Sequence, residues 1–375
     1  MELVSGAGKR VCRRKDMFLG NDACRVGKWL ARVLCIVLVA GCLAGCGAED
    51  ERAPGETAMP FRVVATVFPA YDWTREILGE HGGDVELTLL VDGGVDMHSY
   101  QPTADDIIRI ATCDMFIYVG GESDQWVEKV LSAAVNPDMV VINLLDVLGD
   151  DVKEEELVEG MDAGHGHEGH AEEDGVQAED WTHLAEGIFA KGEEGSEMDE
   201  HVWLSVKNAE VLCSHIASLL AAANPAHAVE YEENAKAYLA RLKALDAAFR
   251  NTVEEGEKNV LLFADRFPFR YLTDDYGLEY FAAFPGCEAE TEASFETVAF
   301  LAGKVDELEL PCVLTLDGSD GRIARTVISG TKAKDQEILT MDSMQSVTWE
   351  DTENGATYLS IMEENRRVLE AALSK

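Results

Sequence analysis

Three places in the 375-residue chain bring together side chains able to hold a cation. His98 stands in Gly94-Val95-Asp96-Met97-His98-Ser99-Tyr100-Gln101-Pro102-Thr103, and His201 in Asp199-Glu200-His201-Val202-Trp203-Leu204. A third group is spaced by glycines in Gly164-His165-Gly166-His167-Glu168-Gly169-His170. Neutral imidazole is the commonest metal ligand, and glycine between imidazoles leaves the backbone free to wrap an ion. Metal capture is therefore the chemistry these residues point to, with a solubilising acidic insert as the plainer reading of the His165, His167 and His170 run. Nothing in the chain resembles His-Glu-x-x-His, Gly-x-Ser-x-Gly or a phosphate-binding glycine loop, which weighs against hydrolase and nucleotide chemistry.

The elements that must position these groups are legible as short apolar runs. Strands are predicted near residues 62–68, 85–91, 115–120 and 139–144, then 259–264, 279–284, 311–316 and 337–340. Near-continuous apolar strands are covered on both faces, and their alternation with helical stretches indicates parallel sheets built from βαβ units. The runs fall into two groups of four. An α/β fold of two lobes is therefore expected, each a four-stranded parallel sheet flanked by helices. Between the groups Tyr231, Tyr238, Leu242, Leu245 and Phe249 recur on one helical face behind Pro225, which predicts one long α-helix joining the lobes. His98 then follows the second strand, and loops at the C-terminal ends of parallel strands are where open α/β sheets hold ligands.

The chain carries 71 Asp and Glu against 31 Lys and Arg, a formal net charge of −40, and is 47 % hydrophobic, enough to bury a core. Eight of the bases fall in the first 46 residues, ahead of and around a short apolar run at 33–45 that is too short to span a bilayer. This is the pattern of an export signal. It ends in Leu43-Ala44-Gly45-Cys46, which resembles the lipobox of bacterial lipoproteins and implies cleavage before Cys46 and acylation of its sulfur. Beyond Cys46, 68 acids face 23 bases, so no basic stripe is left for a nucleic acid. Between residues 146 and 200, 20 acids meet two lysines with few consecutive apolar residues, and the segment is expected to be a mobile loop. The expected organisation is a signal at 1–45, a flexible tether at 46–60, a first lobe at 61–224 carrying the 146–200 insert, a linker helix at 225–254 and a second lobe at 255–375. Cys113, Cys213, Cys287 and Cys312 are too scattered for a disulfide scaffold; buried thiols are expected, a Cys287–Cys312 bridge being the alternative.

The two histidine motifs resemble those of the solute-binding lipoproteins of bacterial zinc and manganese ABC importers. In that family a His-x-Tyr-x-Pro-Thr loop and an Asp-x-His-Val-Trp-Leu segment each supply a metal-binding His. The long helix, the acidic His-rich insert between the motifs and the lipobox are similar too, and the resemblance runs from residue 61 to the C-terminus. It implies a metal site between the lobes with two ligands from each. His98 and His201 fall on the first two positions, and Asp342, in Thr340-Met341-Asp342-Ser343-Met344, on the last. The third position departs from the family. Zinc-binding members have a His after the first strand of the second lobe, manganese-binding relatives can have a carboxylate, and here no His follows His227. Asp265, in Phe263-Ala264-Asp265-Arg266-Phe267, is the nearest carboxylate. It is either the third ligand, with the spacing shifted by one or two residues, or a partner of Arg266 or Arg270.

The resemblance further implies Zn2+ as the transported ligand, with Mn2+ or Fe2+ as the alternative because exchanging an imidazole for a carboxylate hardens the site. The His165, His167 and His170 loop favours zinc. The role implied is a receptor and not an enzyme, a monomer that hands its ion to an ABC permease served by a cytoplasmic ATPase. It would be exported and held on the outside of the cytoplasmic membrane by lipid on Cys46. A metal-dependent hydrolase with an open coordination position and a surface adhesin are the competing classes.

Overall fold

The computed structural model describes residues 60–92, 97–161, 197–286 and 292–374. The export signal, Cys46, the tether up to residue 59, His165, His167, His170 and Cys287 lie outside the described residues. The first half of the fold comprises β1 (Phe61–Ala65), α1 (Phe68–Leu78), β2 (Val85–Leu89), α2 (Ala104–Thr112), β3 (Met115–Tyr118), α3 (Trp126–Leu131), β4 (Val140–Asn143), α4 (Leu144–Leu148) and α5 (Val206–Ala223). A long helix, α6 (Ala228–Glu255), leads to β5 (Val260–Phe267), α7 (Arg270–Tyr276), β6 (Glu279–Pro285), α8 (Phe295–Leu308), β7 (Cys312–Leu316), α9 (Arg322–Gly330), β8 (Glu337–Met341), α10 (Trp349–Glu353) and α11 (Tyr358–Ala372).

The eight strands form two parallel sheets, ordered β2-β1-β3-β4 and β6-β5-β7-β8. One topology is thus used twice. In each copy the crossover changes direction between the first and third strands, the switch point where open α/β sheets leave a crevice. Period-2 side-chain alternation explains why the strands read as unbroken apolar runs. Val63, Ala65, Met115 and Ile117 face one core, while Val64 and Phe116 face another with Ile110, Val127 and Val130. In the second sheet Leu261 and Phe263 point one way and Leu262 and Ala264 the other. The inward faces of both sheets share a single continuous core with α6.

Boundaries depart from the sequence reading where an apolar run crosses from strand to helix. β1 ends at Ala65 because Pro69 seeds the first turn of α1, and the residues after Ala65 stay apolar only because α1 is buried as well. β5 continues past Ala264 to Phe267 through a bulge between Phe263 and Arg266. The linker helix starts at Ala228, after a 3-10 turn at Pro225–His227, and buries Tyr231, Ala235, Tyr238, Leu242, Leu245, Phe249 and Thr252 along one stripe. Its 28 residues give a length of about 42 Å.

The acidic segment expected to be mobile over 146–200 is folded at both margins, which corrects that expectation. Val147, Val152 and Met161 pack against the core. Lys153 donates its backbone N–H to the Tyr271 hydroxyl at 2.9 Å and its ammonium to Asp274 at 2.9 Å. Arg270 donates to the Glu154 carbonyl, and Tyr280 to the Glu156 carboxylate at 3.3 Å. The returning chain pairs antiparallel with the outgoing one: Glu155 N–H to Glu197 O is 2.7 Å and Asp199 N–H to Lys153 O is 2.8 Å. A high density of acids conceals such margins, because a few buried anchors among exposed carboxylates suffice to fix them. Cys113, Cys213 and Cys312 are buried free thiols.

The halves are also tied by α11, which crosses back onto α1. Asp72, fully buried on α1, accepts the Tyr358 N–H at 2.8 Å and pairs with Arg75, whose guanidinium also reaches the Ala356 carbonyl. Trp73 and Tyr358 meet edge to face at 5.2 Å. Burial outweighs the Arg75 guanidinium and the Tyr358 amide, and with help from Glu76 it pushes the Asp72 carboxyl from its ordinary value near 3.8 up to about 6. Between those values the folded state holds a proton that the unfolded chain has released, so this contribution to stability is full below about pH 4 and is lost as pH rises through about 6. The free-energy gap between wild type and Asp72→Asn, measured by urea unfolding from pH 4 to 7, should therefore shift against the wild type by about 2–3 kcal/mol. A gap that stays constant with pH would contradict this assignment.

Candidate metal centre

His98 sits in a 3-10 turn, Met97–Ser99, between β2 and α2. The residues after it fix that turn. Thr103 caps α2, its hydroxyl accepting the Asp106 N–H, and Asp106 accepts in return from the Thr103 amide at 2.9 Å and hydroxyl at 2.7 Å. Tyr100 donates to the same carboxylate at 2.9 Å and packs edge-on against Trp126. Burial raises the Asp106 pKa, but the hydrogen bonds from Thr103 and Tyr100 outweigh it and hold the carboxyl below its ordinary range. Tyr100 and Thr103 of this motif thus serve, through Asp106, as the mount on which His98 is set.

His201 is fully buried and precedes the turn Val202–Leu204 that leads into α5. Asp199 Oδ1 accepts both the His201 backbone N–H at 2.9 Å and the ring Nδ1–H at 2.8 Å. The Asp199 carbonyl is held in turn by the Tyr271 hydroxyl at 2.8 Å. Trp203 packs edge-on against the His201 ring, donates its indole N–H to the Ser343 carbonyl at 2.9 Å and offers its own carbonyl to Tyr358.

The two imidazoles meet. His98 Nε2 and His201 Nε2 are 3.3 Å apart, with ring centroids 5.2 Å apart and planes at 60°. On the far side of the first ring, His98 Nδ1 lies 2.7 Å from the Ser123 hydroxyl and 3.5 Å from Glu200 Oε2. With each Nδ1 holding its proton toward these partners, both Nε2 lone pairs converge on one point. Asp124 shapes the loop that presents Ser123: its Oδ2 accepts the Val119 and Gly120 amides at 2.9 Å each, and burial pushes its carboxyl up to about 6. Burial also raises the Glu200 pKa, against the opposing pull of the Ser123 hydroxyl and amide.

The candidate aspartates of the second half stand differently. Asp265, in the β5 bulge, accepts the Arg266 amide at 3.0 Å and the Leu316 amide on β7 at 3.3 Å. Asp342, just beyond β8, accepts the Met344 amide at 2.7 Å, while the Asn365 side chain bridges its backbone N–H and carbonyl. Burial, with Asp317 and Asp351 adding to it, pushes the Asp342 carboxyl up to about 6 against the Met344 hydrogen bond. Among the described residues no group of three or more His, Cys, Asp or Glu side chains is arranged to hold a metal ion. The structure thus gathers His98 with His201 and leaves Asp265 and Asp342 engaged with backbone amides.

Residues 63–372 match the family model described as the zinc-uptake complex component A, periplasmic, ZnuA. The chain belongs to the ZnuA family. Among its relatives, the zinc-binding lipoprotein AdcA of Streptococcus pneumoniae is 27 % identical over 340 residues, 90 % of this chain and 58 % of the relative. The chain therefore spans a little over half the length of that relative. The high-affinity zinc uptake system protein ZnuA of Bacillus subtilis is 26 % identical over 342 residues, 90 % of this chain and 97 % of the relative. The Zn(II)-bound ZnuA-like domain of Streptococcus pneumoniae AdcA has the same fold, with a TM-score of 0.60 and 24 % identity over 84 % of this chain and all of that domain.

Three residues around the paired histidines escape the motif reading. Asp199 has a local signal, a carboxylate two positions ahead of a candidate ligand, which is how imidazoles are often oriented. Ser123 has none, since it meets His98 across 25 positions. Glu200 occupies the variable position of Asp-x-His and announces nothing. A further constraint is Gly286, where a Cβ would come 2.9 Å from the Phe267 carbonyl oxygen and 3.1–3.2 Å from the His201 ring. Gly286→Ala should displace the imidazole and lower divalent-metal affinity roughly 10-fold, at a stability cost of about 1–2 kcal/mol. Gly303→Ala, where a Cβ meets nothing within 4 Å, should leave the affinity unchanged. Chelator-competition titration of both variants checks this; equal affinities would remove Gly286 from the centre.

Proposed function

We propose that this protein is an extracytoplasmic receptor that captures Zn2+ and delivers it to an ABC-importer permease powered by a cytoplasmic ATPase. The observation that carries the reading is the 3.3 Å between the Nε2 atoms of His98 and His201. Two Zn–N bonds of 2.0–2.1 Å at a tetrahedral angle span about 3.3–3.4 Å between nitrogens, so the pair already has the edge length of a zinc tetrahedron. Asp342 and Asp265 complete the shell from the second half in this reading, both lying beside the C-terminal ends of parallel strands. Two imidazoles argue against calcium or magnesium, which prefer oxygen shells. A manganese or ferrous receptor of the same design is the alternative, resting on the carboxylate at the third position. The relatives named as zinc-binding and zinc-uptake proteins support zinc.

In this reading the chain acts as a receptor, not an enzyme, with two opposed imidazoles and two carboxylates filling the shell around the ion. His165, His167 and His170 gather metal ahead of the tight site. Residues 1–45 direct export, Cys46 carries the lipid anchor, 46–60 is the tether, and the monomer works on the outer face of the cytoplasmic membrane. The lobes follow the boundaries 61–224 and 255–375, joined through 225–254.

Isothermal titration with zinc and with manganese tests the reading. One tight zinc site plus weaker loop sites is expected, and the absence of a tight site would sink it. His98→Ala should abolish the tight site. Asp342→Asn and Asp265→Asn should each weaken it at least 10-fold where the carboxylate ligates, and a neutral result at either position removes that residue from the shell. Deleting residues 162–173 should leave the tight site intact and remove the weaker ones.

A further inference from the structure

We propose that Glu200 is the positioning residue for His98, so that the tripeptide Asp199-Glu200-His201 orients both metal-facing imidazoles at once. The inference rests on the reading that a cation lies between His98 and His201. Asp199 turns back onto its own neighbour and holds His201 through Nδ1. Glu200 reaches the other way. Its Oε1 accepts the Ser123 N–H at 2.8 Å, and its Oε2 is buried with no hydrogen-bond partner among the described residues, 3.5 Å from His98 Nδ1.

The fold makes room for this carboxylate. Gly121 has a positive φ of 80°, and a Cβ there would overlap the Glu200 carboxylate. A side chain only 1 % exposed, packed against Gly121 behind an imidazole, has been given a built position. Ser123 Oγ lies 2.7 Å from His98 Nδ1, so Glu200 acts on the ring directly and through Ser123. A carboxylate on the Nδ1 side keeps the proton there, presents the Nε2 lone pair to the cation and makes that nitrogen a stronger donor. Each imidazole thereby has an acid behind it, and the charge of a dication is answered on both sides without either acid entering the shell.

The test combines zinc affinity by chelator competition at fixed pH with ring-nitrogen NMR of the metal-free protein, on wild type, Glu200→Gln, Glu200→Asp and His98→Ala. Glu200→Gln keeps the shape and removes the charge. It should lower zinc affinity by about 10–100-fold and change the protonation pattern of the His98 ring while that of His201 stays. Glu200→Asp should recover part of the affinity. An unchanged His98 ring pattern and affinity in Glu200→Gln would overturn the proposal, as would a loss matched by unfolding and not rescued by Asp. Failure of the wild type to bind zinc, or full affinity in His98→Ala, would instead overturn the reading of the site. The ring pattern of the metal-free protein would still decide what Glu200 does.

Discussion

Two imidazole nitrogens facing each other at 3.3 Å form the contact around which the first half of this protein is arranged. Neutral rings placed lone pair to lone pair repel, and free loops would relax away from that geometry. The contact persists because each ring is held by its other nitrogen, His201 by Asp199 and His98 by Ser123 with Glu200 behind it. His201 is fully buried, so water cannot take over the role of those partners. With both protons held on Nδ1, a cation between the rings turns the repulsion into attraction.

Trp203 carries this geometry to the second half. Its ring lies against His201, its indole N–H is taken by the Ser343 carbonyl next to Asp342, and its own carbonyl receives the Tyr358 hydroxyl. Tyr358 is in turn tied through its amide to Asp72 on α1. The long helix therefore does not join two independent bodies. The inward faces of both sheets, α6 and α11 share one core, and relative motion of the halves has to work against it. A shared core of this kind makes a hinge between the halves stiff.

Much of the fold was legible because it rests on local signals. All eight strands and the buried stripe of α6 follow from apolar periodicity, and the two central histidines stand inside recognisable motifs. Boundaries were less legible. The first strand ran too far in the sequence reading because strand and helix are both buried there, and only Pro69 marks the change. What could not be read was non-local. Ser123 and His98 are 25 positions apart, Asp72 and Tyr358 are 286 apart, and nothing in either neighbourhood names the other. The state of Asp265 belongs to the same class, because its carboxylate is taken by an amide on β7 that only the sheet brings near.

The base of the acidic insert stands directly beside the centre. Residues 146–200 carry a net charge of −18. Glu197 pairs with Glu155 four positions before His201, immediately ahead of the tripeptide that orients the two rings. Glu155 and Asp199 bind across the ribbon, Lys153 and Arg270 fasten its outgoing strand to α7, and Tyr271 accepts from Lys153 while donating to the Asp199 carbonyl. The return strand is thus hydrogen-bonded to the second half at Asp199, two positions before His201. The same fastening makes the base of the insert a second tie between the halves, so the His201 loop is held by contacts that also stiffen the frame.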